Sequence, residues 1–427
     1  MATLAQKTNP TTENLADDNL KKLRVLVLAT TFPRWESDRE PAFVFELCRQ
    51  MAKNVSLWVL APGAPGAKSY EEISGVRIIR FPYFFPRSIQ TLCYDGGILP
   101  NLKANWLARL QLPFFLVAQF LFIWTTVRRN KINFIHCHWI IPQGVFVALY
   151  NFFTGVPFML TAHGGDVFSF KNNLFVSLLK KFALDRSKMC TANSEATRKM
   201  VDSISNQPSI KTIPMGVDTK LFNPDRNNPS LRNNLGNPDL LLLGVGRFAE
   251  KKGFPYLIRA MPEILKQQPK TKLVLIGFGP QEKILKQLTR DLDVSGSVFF
   301  PGSKTGVNLA EYFATADIFI GPSIVTSSGD TEGLGVVFLE AMASYTAVVA
   351  SDVGGVSDIV EDGVNGLMVQ QKNPSAIAWK VLSLANDPTL REELSSKGFR
   401  KIKDHFSQEN VAKEFLDIYR EVFQKQS

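Results

Sequence analysis

Residues 240–253 read LLLLGVGRFAEKKG. Four leucines run straight into Gly244-Val245-Gly246, and cations follow at Arg247 and Lys252. A short, unbroken apolar run that ends on glycine reads as a strand covered on both faces, the kind found in parallel sheets. The loop behind it carries a planar fork of donors at Arg247 and a compact cation at Lys252, and both suit a diphosphate. The stretch is not a dinucleotide fingerprint, because the third glycine of GxGxxG is missing. By itself it would also suit a solvent-exposed turn.

Similar aliphatic runs flank it on both sides. Residues 273–276, 298–300, 318–320, 347–350 and 367–369 continue the series toward the C-terminus. An earlier series occupies residues 23–29 (LRVLVLA), 56–61, 76–81, 133–137, 158–162 and 189–192. Strands alternating with helical segments, in two series, imply an α/β chain of two doubly wound parallel-sheet domains. The join falls near Pro214-Met215-Gly216-Val217-Asp218, followed by the Pro/Asn-rich residues 223–229. Residues 408–424 form an amphipathic helix, with apolar Val411, Phe415, Ile418 and Phe423, able to pack on either domain. Ligands of open α/β sheets bind beyond the carboxyl ends of the strands, so two facing domains enclose a cleft there.

The densest group of chemical side chains follows the strand at 318–320. A Gly/Ser-rich loop leads into Glu332-Gly333-Leu334-Gly335-Val336-Val337-Phe338-Leu339-Glu340. The glycines permit tight turns, and a helix starting around Gly335 offers free N–H groups to an anion. Glu332 lies in the loop and Glu340 within the helix, which gives the two carboxylates separate tasks.

Three of the four histidines cluster: His136, His138 and His163. His136-Cys137-His138 ends a strand, and the two rings are expected on opposite faces. His163-Gly164-Gly165-Asp166 follows another strand and opens a loop toward the cleft. A third metal ligand at suitable spacing is missing, which favours structural or substrate-positioning roles. Asp291-Leu292-Asp293 has the Asp-x-Asp pattern of metal-dependent sugar transferases, but it follows the charged segment 282–290 instead of an apolar strand. It reads as a solvated helix end.

Length and composition bound the partners. The 427 residues carry 49 Lys or Arg against 39 Asp or Glu, net +10, with 45% hydrophobic residues, enough for two or three domains with large cores. Residues 101–200 contain twelve basic and three acidic side chains, a net +9 that attracts phosphates of substrate, lipid or nucleic acid. No nucleic-acid-binding module is visible, and a basic patch alone is not one. Four scattered cysteines without a CxxC pair suit a reducing compartment. Residues 1–20 are polar, without an apolar core or cleavage-site pattern, and read as a disordered tail with a cytoplasmic location.

Two uncharged stretches, 110–127 and 139–165, approach the length of a membrane span. Pro113, Gln111 and Gln119 interrupt the first, while Pro142, Gly144, Gly155 and Pro157 break the second into helix, turn and strand. Both are expected to be buried α/β core. Phe81-Pro82-Tyr83-Phe84-Phe85-Pro86-Arg87, Trp106 and Arg128-Arg129-Asn130-Lys131 combine aromatics with cations. That suits interfacial docking on an anionic membrane, or equally buried aromatics beside a basic helix C-terminus.

Taken together, Arg247 with Lys252, Glu332 through Glu340, His163-Gly164-Gly165-Asp166 and Pro214 through Asp218 resemble the retaining glycosyltransferases of family 4. The resemblance runs from about residue 23 to the C-terminus and implies the GT-B fold. It implies a hexosyltransferase using a nucleotide-diphosphate sugar, UDP- or GDP-linked, with no metal or other cofactor and no nucleic acid. The implied division is a tail (1–20), an acceptor-binding domain (21–216), a nucleotide-sugar-binding domain (217–405) and a helix crossing back (406–427). Arg247 and Lys252 would hold the diphosphate, beside Gly246. Glu332, with the amides of Gly333, Leu334 and Gly335, would hold the sugar hydroxyls. Glu340 would take the ribose, His163 would approach the reacting carbon, and Asp166 would lie on the acceptor side. A membrane lipid-linked acceptor fits the basic N-terminal half, with the enzyme peripheral on the cytoplasmic face; a soluble acceptor or a silent scaffold is the alternative. Many relatives carry a Gly-Gly loop after the first strand. Residues 30–41 (TTFPRWESDREP) contain no glycine, so acceptor contacts are not carried over to that loop; separately, the linker motif has Met215 where Asn is common.

Overall fold

The computed structural model describes residues 20–424 apart from 36–37, 39, 41, 95, 171–172 and 206–209. The expected tail thus lies, but for Leu20, outside the described residues, as do four residues of the 30–41 loop.

The first sheet comprises β1 (Arg24–Leu28), β2 (Ser56–Pro62), β3 (Tyr70–Ile73), β4 (Val76–Phe81), β5 (Phe134–His138), β6 (Phe158–Ala162), β7 (Met189–Ala192) and β8 (Ile210–Thr212). Their order is β3-β4-β2-β1-β5-β6-β7-β8, parallel except for the antiparallel β3–β4 pair. The second contains β9 (Leu240–Val245), β10 (Thr271–Ile276), β11 (Val298–Phe299), β12 (Ile318–Gly321), β13 (Ala347–Ser351) and β14 (Leu367–Val369), ordered β11-β10-β9-β12-β13-β14. All its pairs are parallel, and β9, β10, β12 and β13 are buried along their length save for Lys272, as their aliphatic runs require. Strand order reverses between β9 and β12, where a parallel sheet opens a crevice for a ligand.

Two strands escape the aliphatic pattern. β3 (YEEI) is an edge strand with no fully buried residue, and β8 (IKT) has three residues. Edge strands bury too little to read as apolar runs.

Among the helices are α1 (Phe43–Met51), α2 (Trp106–Arg129), α3 (Val145–Thr154), α4 (Leu174–Arg186), α5 (Val336–Ala343) and α6 (Gln408–Gln424). The 110–127 stretch lies within α2, started by the Asn105 side chain accepting from Leu107 N–H at 2.9 Å. It is core on one side only. Phe115 and Ile123 are fully buried, whereas Leu110, Phe114, Val117 and Leu121 face outward. A single helix on a sheet has an opposite face, and this one is apolar too. The second uncharged stretch divides as expected into α3 and β6. In the aromatic segment, Phe81 and Tyr83 are buried, so the core alternative holds for them, while Phe85 is 88% exposed.

Helix α6 returns to the first domain and packs on α1. Phe415 and Tyr419 are buried there, and Tyr419 meets Phe134 edge-on at 5.1 Å between ring centroids. The join is fastened by the same return, since Val217 N–H donates to Phe406 O at 2.9 Å and Gln408 N–H to Val217 O at 3.1 Å.

Candidate active site

The loops leaving β9 and β12 meet at the reversal point. Beyond β9 the backbone turns at Gly246, with φ +153°, and a Cβ there would stand 3.1 Å from Lys252 Cε. Glycine at this position lets the lysine stem lie across the strand end. A single 3₁₀ turn, Glu250–Lys252, aims the two lysines at the β12 loop. Lys252 Nζ lies 2.5 Å from Glu332 Oε2, and Lys251 Nζ lies 3.2 Å from both Asp330 Oδ1 and Thr331 O. Burial pushes the Glu332 carboxyl up, but the charges of Lys252 and Lys251, with hydrogen bonds from Lys252 and Ser323, outweigh it and hold the group below its usual value.

Gly335, at φ +86°, caps α5, whose first-turn amides then point out of the strand ends. Glu340 follows one turn later. Burial pushes its carboxyl up to about 8, against the pull of Lys252. The same site thus favours the ionised form of Glu332 and the protonated form of Glu340. Arg247 reaches the other domain, its Nη1 donating to Gly96 O at 3.1 Å.

Across the cleft, β6 delivers His163. Its backbone N–H donates to Asp166 Oδ1 at 3.0 Å, and Asp166 Oδ2 accepts from Ile140 N–H at 2.7 Å. With both oxygens accepting from backbone and the side chain buried, Asp166 shapes the loop behind His163. The loop is also not open: it winds directly into a short helix, Gly165–Phe168.

The histidine rings correct a second expectation. His136 and His138 stack at 4.4 Å, because residues two apart in a strand share a face. His136 Nδ1 lies 2.8 Å from Tyr419 Oη and its Nε2 2.7 Å from Thr161 Oγ1. His138 Nδ1 lies 2.8 Å from His163 Nε2, and Trp139 and Phe43 flank the His163 ring at 4.8 and 5.4 Å. Burial drives all three imidazoles far below their usual value, His136 and His163 to about 3, so each is neutral. Among the described residues, no group of three His, Cys, Asp or Glu is placed to hold a metal ion.

The two halves touch through glycine. A Cβ on Gly333 would lie 2.6 Å from His163 O, and one on Gly355 would lie 2.1 Å from Gly333 O and 2.6 Å from Ser194 Cβ. Glu195 N–H donates to Asp358 Oδ2 at 2.5 Å nearby. Gly96, Ser194 and the Gly354-Gly355 pair belong to the site's frame but carry no chemical motif. The glycine pair lies in the loop just beyond β13, and that position past a strand end was the available signal. Leu334 is buried beneath the loop, and Asp291 and Asp293 lie exposed at the end of helix Glu282–Asp291, away from any strand end.

Two Rossmann-like domains closing on a cationic, helix-capped crevice define a GT-B glycosyltransferase. The family descriptions agree: residues 42–221 match Glycosyltransferase Family 4 and residues 227–401 match Glycosyl transferases group 1. An uncharacterized glycosyltransferase of Methanocaldococcus jannaschii is 31% identical over 304 residues, covering 68% of this chain and 76% of that protein. The chain belongs to glycosyltransferase family 4. A GDP-mannose-dependent alpha-(1-6)-phosphatidylinositol monomannoside mannosyltransferase of Mycolicibacterium smegmatis is 32% identical over 214 residues, 49% of this chain and 56% of that one. Sucrose-phosphate synthase of Thermosynechococcus elongatus shares the fold with a TM-score of 0.77 at 21% identity, over 95% of this chain and all of that one.

Proposed function

We propose that this enzyme is a retaining hexosyltransferase that moves a sugar from a UDP- or GDP-sugar to a membrane lipid-linked acceptor, such as a glycosyl-diacylglycerol or a polyprenyl-linked saccharide. The observation that carries the reading is the meeting of Lys252, Glu332 and the capped start of α5 at the strand-order reversal, directly against the His163 loop. Lys252 and Arg247 bind the diphosphate and stabilise the charge that grows on it as the glycosidic bond breaks. They supply the positive charge that a divalent ion supplies elsewhere, so transfer is metal-independent. Glu332 and the Gly333–Gly335 amides hold sugar hydroxyls, and Glu340 accepts from the ribose. Neutral His163 contacts the sugar near the reacting carbon without competing for its positive charge. Contact between the two halves excludes water from the reacting centre and limits donor hydrolysis.

The lipid acceptor is supported by the basic N-terminal half and by the relatives that act on phosphatidylinositol mannosides. The test is nucleoside diphosphate release from a panel of UDP-, GDP- and ADP-sugars, with and without total lipid extract and with chelator. Release that depends on one donor and on lipid, and survives chelator, is expected. Release indifferent to lipid turns the assignment to a soluble acceptor, and no release with any donor overturns it. The product's anomeric configuration, read by NMR, decides retention.

A further inference from the structure

Helix α2 presents Trp106, Leu110, Phe114, Val117 and Leu121 to the outside, all exposed, at spacings of four, four, three and four residues. That is one straight stripe, opposite the face seated on the sheet. Helices α3 and α4 lie beside it in the same layer. Trp124 meets Tyr150 at 5.3 Å, and Arg186 joins α4 to α3 by donating to Asn151 Oδ1 at 3.1 Å and covering the Phe152 ring. Both neighbours also turn apolar groups outward: Phe152 and Phe153 on α3, and Leu174, Phe175 and Leu178 on α4. Ten large apolar side chains are thus exposed on one layer, and a concentration of that kind on a surface marks an interaction site.

We propose that this three-helix face is the surface by which the enzyme docks on a bilayer containing anionic lipid. Charge selects the occupant. α2 holds no acidic residue, and exposed Lys103 and Arg109 near its start and Arg128, Arg129 and Lys131 at its end frame the stripe. A second copy would bring like charge to like, whereas anionic head groups complement the frame while the apolar stripe enters the acyl boundary. The face also reaches the active site. Lys180 of α4 donates to Val167 O at 2.9 Å and Ser169 O at 2.6 Å, fastening the patch to the short helix that begins behind His163. Resting on the lipid-acceptor reading above, this places the sugar head of a bilayer-anchored acceptor beside His163 while its tail stays in the membrane.

The experiment is sedimentation of the full chain with phosphatidylcholine vesicles, with and without phosphatidylglycerol, alongside nucleoside diphosphate affinity measured without lipid. Wild type is expected to bind only the anionic vesicles and to release as salt rises. The triple variant Leu110→Ser/Phe114→Ser/Leu121→Ser and the pair Arg128→Gln/Arg129→Gln should each lose about tenfold or more in vesicle binding. Both should keep wild-type melting and nucleotide affinity, and Trp379→Ser on the other domain should bind as wild type. Equal binding by wild type and the triple variant, no vesicle binding at all, or a wild-type dimer that the triple variant dissolves would each overturn the proposal. Failure of nucleotide binding with vesicle binding intact would instead strike the enzymatic reading.

Discussion

Lys252 and Glu332 form an ion pair with a 2.5 Å contact, their side chains only 15% and 13% exposed. The pair joins the loops that follow the two central strands of the second sheet, β9 and β12, where strand order reverses. Glu332→Gln preserves shape and removes the charge. Transfer is expected to fall roughly 10²–10³-fold, the size of one preorganised polar contact. Melting should also drop, because Lys252 is left buried without its counter-charge. Nucleoside diphosphate release and thermal unfolding measure the two effects, and a variant with wild-type turnover would remove Glu332 from the site.

Glu340 titrates the other way. Its folded value of about 8 lies above the ordinary 4.5, so the folded chain keeps a proton that the unfolded chain has released. Its stabilising contribution is therefore complete below pH 4.5 and is lost as pH rises to about 8. Glu340→Gln is expected to flatten that part of the stability profile. Nucleotide affinity carries a second signature: an ionised carboxylate accepts from both ribose hydroxyls, so wild-type binding should strengthen as pH approaches 8 and the Gln variant should not. Calorimetric titration across that window decides it.

Much of this was legible in the chain because buried parallel strands are written as aliphatic runs, and cations or glycines after such a run mark a strand end. β9 and β12 with Arg247, Lys252 and Glu332 are of this kind. What was not legible depends on side chains meeting across long separations. Nothing near Asp166 indicates that its carboxylate is spent on the backbone of Ile140 and His163, nor near His136 that a tyrosine 283 residues away meets its ring. The stacking of His136 on His138 was available from strand periodicity alone. The outer face of α2 was hidden for a different reason: a helix apolar all round has no contrast from which to read its buried side.

Gly333 is fixed by the opposite domain. A methyl group there would press on His163 O at 2.6 Å, between backbone segments with no flexible side chain to yield. Gly333→Ala should force the two loops apart by a fraction of an ångström to an ångström. Misplacement of that order costs about 10²-fold in turnover when geometry supplies the rate. The expected outcome is a loss in kcat with nucleotide affinity little changed, since the Lys252 side of the site does not move. A loss confined to KM would contradict the contact's role in closure.

His163 and His138 share a 2.8 Å contact and are both held neutral by burial. The rate–pH profile should accordingly show no limb in the usual histidine range. His138→Asn is expected to lower kcat by about tenfold while leaving nucleotide affinity intact, because it frees the His163 ring without touching the donor site. An acidic limb near pH 6.5 that vanishes in His163→Asn would show instead that a protonated imidazole is used.

Tyr419 secures the returning helix α6 inside the first domain. Its hydroxyl lies 2.8 Å from His136 Nδ1, and both groups are buried. Tyr419→Phe keeps the ring contact with Phe134 and strips that polar partner, leaving a buried imidazole nitrogen unsatisfied. The cost is about 1–3 kcal/mol of stability, seen as a lower denaturant midpoint. Because His136 stacks on His138, and His138 contacts His163, loosening this ring should also reach the cleft as a modest fall in kcat. Truncation before α6 removes Phe415 and Tyr419 together and exposes the apolar side of α1, so the truncated chain is expected to aggregate, not fold as two domains. Full stability in Tyr419→Phe would reduce the contact to packing and cut the path from α6 to the His163 loop.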